Sequence, residues 1–236
     1  GHHGAALALA ARMRGIDAYV VMPETAPGIK KKAVAEYGAN IIYCGPTLQS
    51  RETTLADVVS QTGAIEIHPY NNFQVICGQG TAAKELIEDA GPFDLIICPV
   101  GGGGLLSGTS ISTRALNPWA MIIAAEPEGA DDAFRSFHAR KLIPSVNPKT
   151  IADGLLTSVG ELNFRIIRRK TDEIVTVSEH GIIRAMRMIW ERMKILIEPS
   201  SAVPLAAILE NKVDVRNKKT GIILSGGNVD LDNLPF

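Results

Sequence analysis

Short apolar runs alternate along this chain with longer stretches in which apolar residues recur every three or four positions. The runs at 18–22, 40–44, 64–67, 94–100, 121–125, 174–177 and 221–224 are rich in Val and Ile and have the length of buried strands. Helical spacing fills the intervals at 5–14, 29–37, 51–61, 75–89, 133–139, 163–169, 178–195 and 198–209, and a further helix follows the glycines after Val100. Gly15 and Gly38 stand where helices stop, Pro23 closes a strand, Ser178 is placed to cap a helix, and Glu198-Pro199 opens another. In 75–89, Gly78 and Gly80 mark places where backbones can approach closely. Strand–helix alternation of this length predicts an α/β protein whose parallel strands are covered by helices.

The 236 residues suffice for one large domain or two smaller ones. With 24 basic and 25 acidic residues the net charge is −1, and no basic stripe suggests nucleic acid. Lys30, Lys31 and Lys32 read as a solvated helix face. No apolar run reaches the ~20 residues that span a bilayer, and no signal peptide opens the chain. Cys44, Cys77 and Cys98 lie far apart, two of them in expected strands, which suggests packing roles in a reducing cytosol. Gly1-His2-His3-Gly4 runs directly into a helix without an initiating Met, as in a chain that begins in mid-domain.

Three strand ends carry chemistry. Gly101, Gly102, Gly103 and Gly104 follow an apolar strand and open a helix, where bare amides and the helix dipole make an anion cradle. Their spacing fits neither the dinucleotide-binding nor the P-loop pattern. Ser225 ends the last strand in Ser-Gly-Gly-Asn, presenting a neutral hydroxyl beside glycines. Residues 126–132 offer carboxylates and carbonyls suited to Mg²⁺ or Ca²⁺, although Asp131 or Asp132 capping a helix explains them equally well. Ligands of open parallel sheets bind beyond the carboxyl ends of strands, so all three belong on one edge. His68, before Pro69, reads as a turn residue, and His2 and His3 are also compatible with a tag remnant.

With these segments in view, the chain resembles the fold-type II pyridoxal-phosphate enzymes, and among them the serine racemase and serine/threonine dehydratase family. The resemblance runs end to end. It rests on the four glycines, 125–127 with 130–132, 150–154, 190–194 with 196–199, and 224–230; the 126–132 loop and Ser50-Arg51-Glu52 favour the racemase-like branch. It implies a tryptophan-synthase-β-like architecture of two parallel-sheet α/β domains, with 1–71 most of a small domain and 72–236 a large cofactor-binding domain, lacking the family's N-terminal quarter. It implies that the glycine amides hold the phosphate of pyridoxal 5′-phosphate, that Ser225 meets the pyridine nitrogen, and that His2 and Tyr70 stand at cofactor-edge positions. His3, Arg51 and Thr157 are expected around the substrate. Glu126, the Ala130 carbonyl and Asp132 are expected to hold a structural Mg²⁺ or Ca²⁺. Tyr37, Lys194 and Asn228 match a nucleotide-effector site, with ATP as the effector, at a homodimer interface.

The activity implied is cytoplasmic and acts on L-serine or L-threonine: loss of the α-proton, then reprotonation or elimination of water to pyruvate or 2-oxobutyrate plus ammonia. His2 departs from the family's asparagine, and Ala5 from the glutamine of the effector site. The family's Schiff-base lysine sits in a Ser-Phe-Lys-x-Arg-Gly context, and no lysine here has that context. No catalytic residue is therefore assigned within this chain. The alternatives are a truncated chain without turnover and a cysteine-synthase-like β-replacement enzyme.

Overall fold

The computed structural model describes residues 2–26 and 28–236. Contacts group the chain into two compact units that meet at the Pro69–Tyr70 bond. The first contains α1 (His2–Arg14), β1 (Tyr19–Pro23), α2 (Gly28–Glu36), β2 (Asn40–Cys44) and α3 (Leu48–Thr62). Strands β1 and β2 pair in parallel, in register from Tyr19 opposite Asn40 to Pro23 opposite Cys44. Ala8, Val20, Met22 and Val34 form a small core beneath them. Thr47 caps α3 by accepting from the Ser50 N–H, and Gly63 ends the helix in the left-handed conformation.

The second unit contains α4 (Phe73–Ala90), β3 (Leu95–Pro99), α5 (Gly104–Leu116), β4 (Met121–Pro127), α6 (Asp132–Ala139), α7 (Glu161–Lys170), β5 (Glu173–Val177), α8 (Glu179–Met193), α9 (Pro199–Leu209) and β6 (Thr220–Ile222). Its sheet has the order β5-β4-β3-β6, and every pair is parallel. All five residues of β3 are buried, because helices cover both faces of the sheet. Leu95 and Ile97 join Ile182 and Met186 of α8 and Ala202, Val203 and Ala206 of α9. Ile96 and Cys98 face the other way, toward Leu106 of α5 and Ile167 of α7. Each such fully buried aliphatic side chain contributes roughly 1.5–3 kcal/mol. Helix α9 is apolar almost all round, as befits a helix sunk in the core. Ser178 caps α8 by accepting from the Gly181 N–H.

One expected strand is absent. Residues 64–67 form no strand and join neither sheet. Ile65 is 86% exposed, so the alternation there has no face to bury, and the Ile67 carbonyl accepts instead from the His3 ring. Among the described residues no helix is long and apolar enough to cross a membrane.

Helices α4 and α5 touch through glycines. A Cβ on Gly108 would lie 2.4 Å from the Gly80 nitrogen and 2.5 Å from the Ile76 carbonyl oxygen. Gly78 faces solvent with nothing within 4 Å, so close packing explains Gly80 but not Gly78. Gly108→Ala is therefore expected to destabilise the protein by about 2–3 kcal/mol, and Gly78→Ala to stabilise it by roughly 0.5–1 kcal/mol, in urea titrations of the two variants. Burial pushes the Cys98 thiol up to about 12, against a weak lowering by the Thr109 hydroxyl. A thiol reagent near neutral pH should accordingly label exposed Cys77 and spare Cys44 and Cys98 until the protein unfolds.

Candidate functional site

Strand β3 lies between β4 and β6, and all three run the same way, so the segments that follow them emerge on one edge of the sheet. These segments carry the glycine loop, Glu126 with its loop, and Ser225. The edge expected from the sequence is the one formed.

The glycine loop begins as the Val100 N–H donates to the Ala125 carbonyl at 3.0 Å. Gly103, at φ +89°, caps α5 with no side chain to satisfy the helix's first amides. Among the described residues, the N–H groups of Gly101, Gly102, Gly103 and Gly104 donate to no protein acceptor. Orphan donors at a helix start attract an anion.

The space a side chain would take is nevertheless full. A Cβ on Gly102 would meet the Tyr70 ring at 2.5 Å, one on Gly103 the Asn163 Cβ at 2.9 Å, and one on Gly101 the Leu155 Cα at 2.9 Å. The glycines let the protein close on the loop from one side and leave its amides bare. The Gly102 carbonyl accepts from the Gly160 N–H at 3.1 Å and from Asn163 Nδ2 at 2.8 Å, and Asn163 Nδ2 also reaches the Tyr70 carbonyl at 3.0 Å. The Thr157 hydroxyl is buried without a partner, 3.3 Å from the position of a Gly101 Cβ. Bare amides and this idle hydroxyl fit a phosphate ester.

Ser225 is half-buried, its Oγ 3.1 Å from Ser201 Oγ. Ser201 spends its single proton on the Gly226 carbonyl at 2.6 Å and accepts from the Gly226 N–H at 2.7 Å. Ser225 is thus the donor in the shared contact, and rotation about χ1 releases it to another acceptor. Ser201, seated on α9, carries no signal in the sequence because it resembles any small residue in an apolar helix.

Glu126 is fully buried at the end of β4. Its two oxygens accept from the Ala133 and Phe134 N–H groups at 3.1 and 2.8 Å, so Glu126 caps α6. Asp131 does not cap it with its side chain, which instead accepts from Arg135 Nε at 2.7 Å. Asp132 is also fully buried; its Oδ2 accepts from the Val159 N–H at 2.9 Å, and its Oδ1 has no partner. Burial pushes Glu126 up to about 9 and Asp132 up to about 6. Ala130 is buried beside them. Among the described residues no cluster of three His, Cys, Asp or Glu side chains is placed to hold an ion. Two buried carboxylates with an idle oxygen still fit a hard cation that draws its other ligands from carbonyls and water.

The remaining expected residues fall elsewhere. In the first unit, His2 starts α1, and His3 Nε2 donates to the Ile67 carbonyl at 2.8 Å, which fixes its tautomer. Gly1, part of the opening motif, lies outside the described residues. His3 and exposed Arg51 are both close enough to His68 to lower its proton affinity, and Glu66 raises it. Tyr37 packs against the first unit's core. In the second unit, Lys194 ends α8 in the left-handed conformation, its ammonium donating to the Glu191 carbonyl at 2.7 Å. The Glu198 N–H donates to the Gly226 carbonyl, which draws the segments preceding Asn228 and following Lys194 together.

Burial is the main force holding both His3 and His68 below their ordinary value of 6.5. Such groups contribute fully above that value and lose their contribution as pH falls through it toward their folded values. The denaturation midpoint of the wild type, taken relative to that of His68→Gln at the same pH, should therefore fall as pH is lowered from about 7 through 6.5.

The sequence model described as "Pyridoxal-phosphate dependent enzyme" matches residues 1–226. A β-hydroxyaspartate dehydratase from Paracoccus denitrificans is 49% identical, across 100% of this chain and 75% of its own length. A serine racemase from Dictyostelium discoideum is 51% identical, across 99% of this chain and 74% of its own. The crystal structure of a T.th. threonine deaminase superposes with a TM-score of 0.92 at 42% identity, covering 98% of this chain and 76% of that one. The parallel α/β architecture is that of fold-type II, and the chain belongs to the pyridoxal-phosphate dependent enzymes.

Proposed function

We propose that this chain serves a pyridoxal-phosphate dependent racemase and dehydratase of L-serine, with L-threonine and 3-hydroxyaspartate as related substrates. The observation that carries this reading is the set of unpartnered amides at Gly101, Gly102, Gly103 and Gly104 on the same sheet edge as Ser225. Its closely similar relatives are named for these reactions. Bound pyridoxal phosphate supplies an electron sink for charge developing at the substrate α-carbon.

The four glycine amides hold the phosphate, and Thr157 lies against them. Ser225 turns its hydroxyl proton to the ring nitrogen. A neutral hydroxyl leaves that nitrogen unprotonated and weakens the sink, which suits departure of a β-hydroxyl. Tyr70 packs at the cofactor's edge, and His2 occupies the position where the family has asparagine. Arg51 supplies positive charge for the substrate carboxylate, and His3 stands near it. Glu126, the Ala130 carbonyl and Asp132 hold Mg²⁺ or Ca²⁺ as a structural ion. Tyr37, Lys194 and Asn228 belong to a nucleotide-effector site, filled by ATP, of a cytoplasmic homodimer. Residues 1–71 serve as the small domain and 72–236 as the cofactor domain. Proton transfer at the α-carbon is assigned to no residue of this chain.

Incubation of the full-length enzyme this chain serves, Schiff-base lysine included, with L-serine, pyridoxal phosphate and Mg²⁺, followed by chiral chromatography and a pyruvate assay, tests the activity. D-serine and pyruvate are expected; formation of neither, or cysteine formation on adding sulfide, contradicts it. For the ion, saturation at a hundred times its dissociation constant should stabilise the wild type by about 2.7 kcal/mol, and Asp132→Asn should lose most of that gain in a thermal-shift titration with Ca²⁺.

A further inference from the structure

Asn163 lies 61 residues beyond Gly102 in sequence, is fully buried, and touches the glycine loop from α7. Its amide is oriented without ambiguity, because both of its Nδ2 partners are carbonyls and so must receive N–H groups. The Oδ1 atom is left buried with no partner. An amide held with half of its hydrogen-bonding capacity idle is a poor way to stabilise a helix, since an unsatisfied buried acceptor costs about 1–3 kcal/mol. Something other than stability is served by the half that is used.

Peptide geometry shows what that is. The Gly102 carbonyl is gripped twice from the α7 side, by Asn163 Nδ2 and by the Gly160 N–H. A trans peptide is planar, and its C=O and N–H point in opposite directions. Fixing the Gly102 oxygen toward α7 therefore fixes the Gly103 N–H away from α7. Gly103 accepts this orientation because its φ of +89° is open to glycine. No described residue takes up that N–H.

We propose that Asn163 is a positioning residue for the cofactor phosphate: by holding the Gly102 carbonyl it aims the Gly103 N–H into the anion cradle before any ligand arrives. The inference rests on the reading of the glycine loop as a phosphate site. Asn163 touches no phosphate itself. Its effect falls on the phosphate alone and not on the pyridine ring, which Ser225 meets from a different strand.

The test uses pyridoxine 5′-phosphate and pyridoxine, which have no aldehyde and bind without a Schiff base. Their dissociation constants are measured by fluorescence for wild type, Asn163→Ala and the near-isosteric Asn163→Asp. Wild type should prefer the phosphorylated probe. Both variants should weaken it about tenfold or more, the worth of one charge-assisted hydrogen bond, and leave the unphosphorylated probe unchanged. A merely structural role would lower the melting temperature and leave the phosphate preference intact, which would overturn the proposal. Should neither variant fold, hydrogen exchange of the wild-type Gly103 amide decides. Slowing on addition of pyridoxine 5′-phosphate supports the aimed N–H, and unchanged exchange overturns it. If wild type shows no preference for the phosphorylated probe, the phosphate reading itself falls, and this inference with it.

Discussion

The arrangement depends on one peptide group, the Gly102–Gly103 unit, whose carbonyl is held from one side so that its N–H must face the other. Everything around it is built to make that hold possible. Strand β3 is buried on both faces and delivers the loop to the sheet's carboxyl edge. Three successive glycines have their side-chain space occupied by Leu155, Tyr70 and Asn163, so the loop is pressed close to the structure behind it. Helix α5 then begins with no side-chain cap. An uncapped helix start leaves its amides to water or to a ligand, and among the described residues these amides meet no protein acceptor, which suits an anion.

The same construction ties the loop to a second buried feature. Two neighbouring peptides on the approach to α7 point their N–H groups at different partners: Val159 at Asp132 Oδ2 and Gly160 at the Gly102 carbonyl. The buried carboxylates at the end of β4 and the glycine loop at the end of β3 thus share one short piece of backbone. Burial, reinforced by repulsion from neighbouring carboxylates, drives Glu126 and Asp132 toward the protonated form. A cation between them would remove that drive and keep both charged, fixing the backbone on which Gly160 sits.

Much of this was legible in the chain. The apolar run before the glycines, the Ser-Gly-Gly-Asn ending and the acidic loop are local signals, and parallel topology places them on one edge without further information. Long-range side chains were not legible. Asn163 and Ser201 sit inside helices with no distinguishing periodicity, and each matters through a partner 61 or 24 to 25 residues away. Glu126 was singled out as a ligand but not as the cap of α6, because capping by a residue upstream of the helix leaves no sequence signature. Residues 64–67 alternate like a strand, yet no neighbouring strand comes to pair with them, and Ile65 stays in solvent. The purpose of the glycines was only half visible: their number pointed to a ligand, whereas the contacts show them equally required by the protein's own close packing.

The most direct measurement is the amide spectrum of protein labelled with ¹⁵N only at its 22 glycines, recorded while pyridoxine 5′-phosphate is added. The account predicts that the amide protons of Gly101, Gly102, Gly103 and Gly104 move downfield together and saturate with one binding constant. Unmoved signals from these four while other glycines respond, or the same response to unphosphorylated pyridoxine, would contradict it.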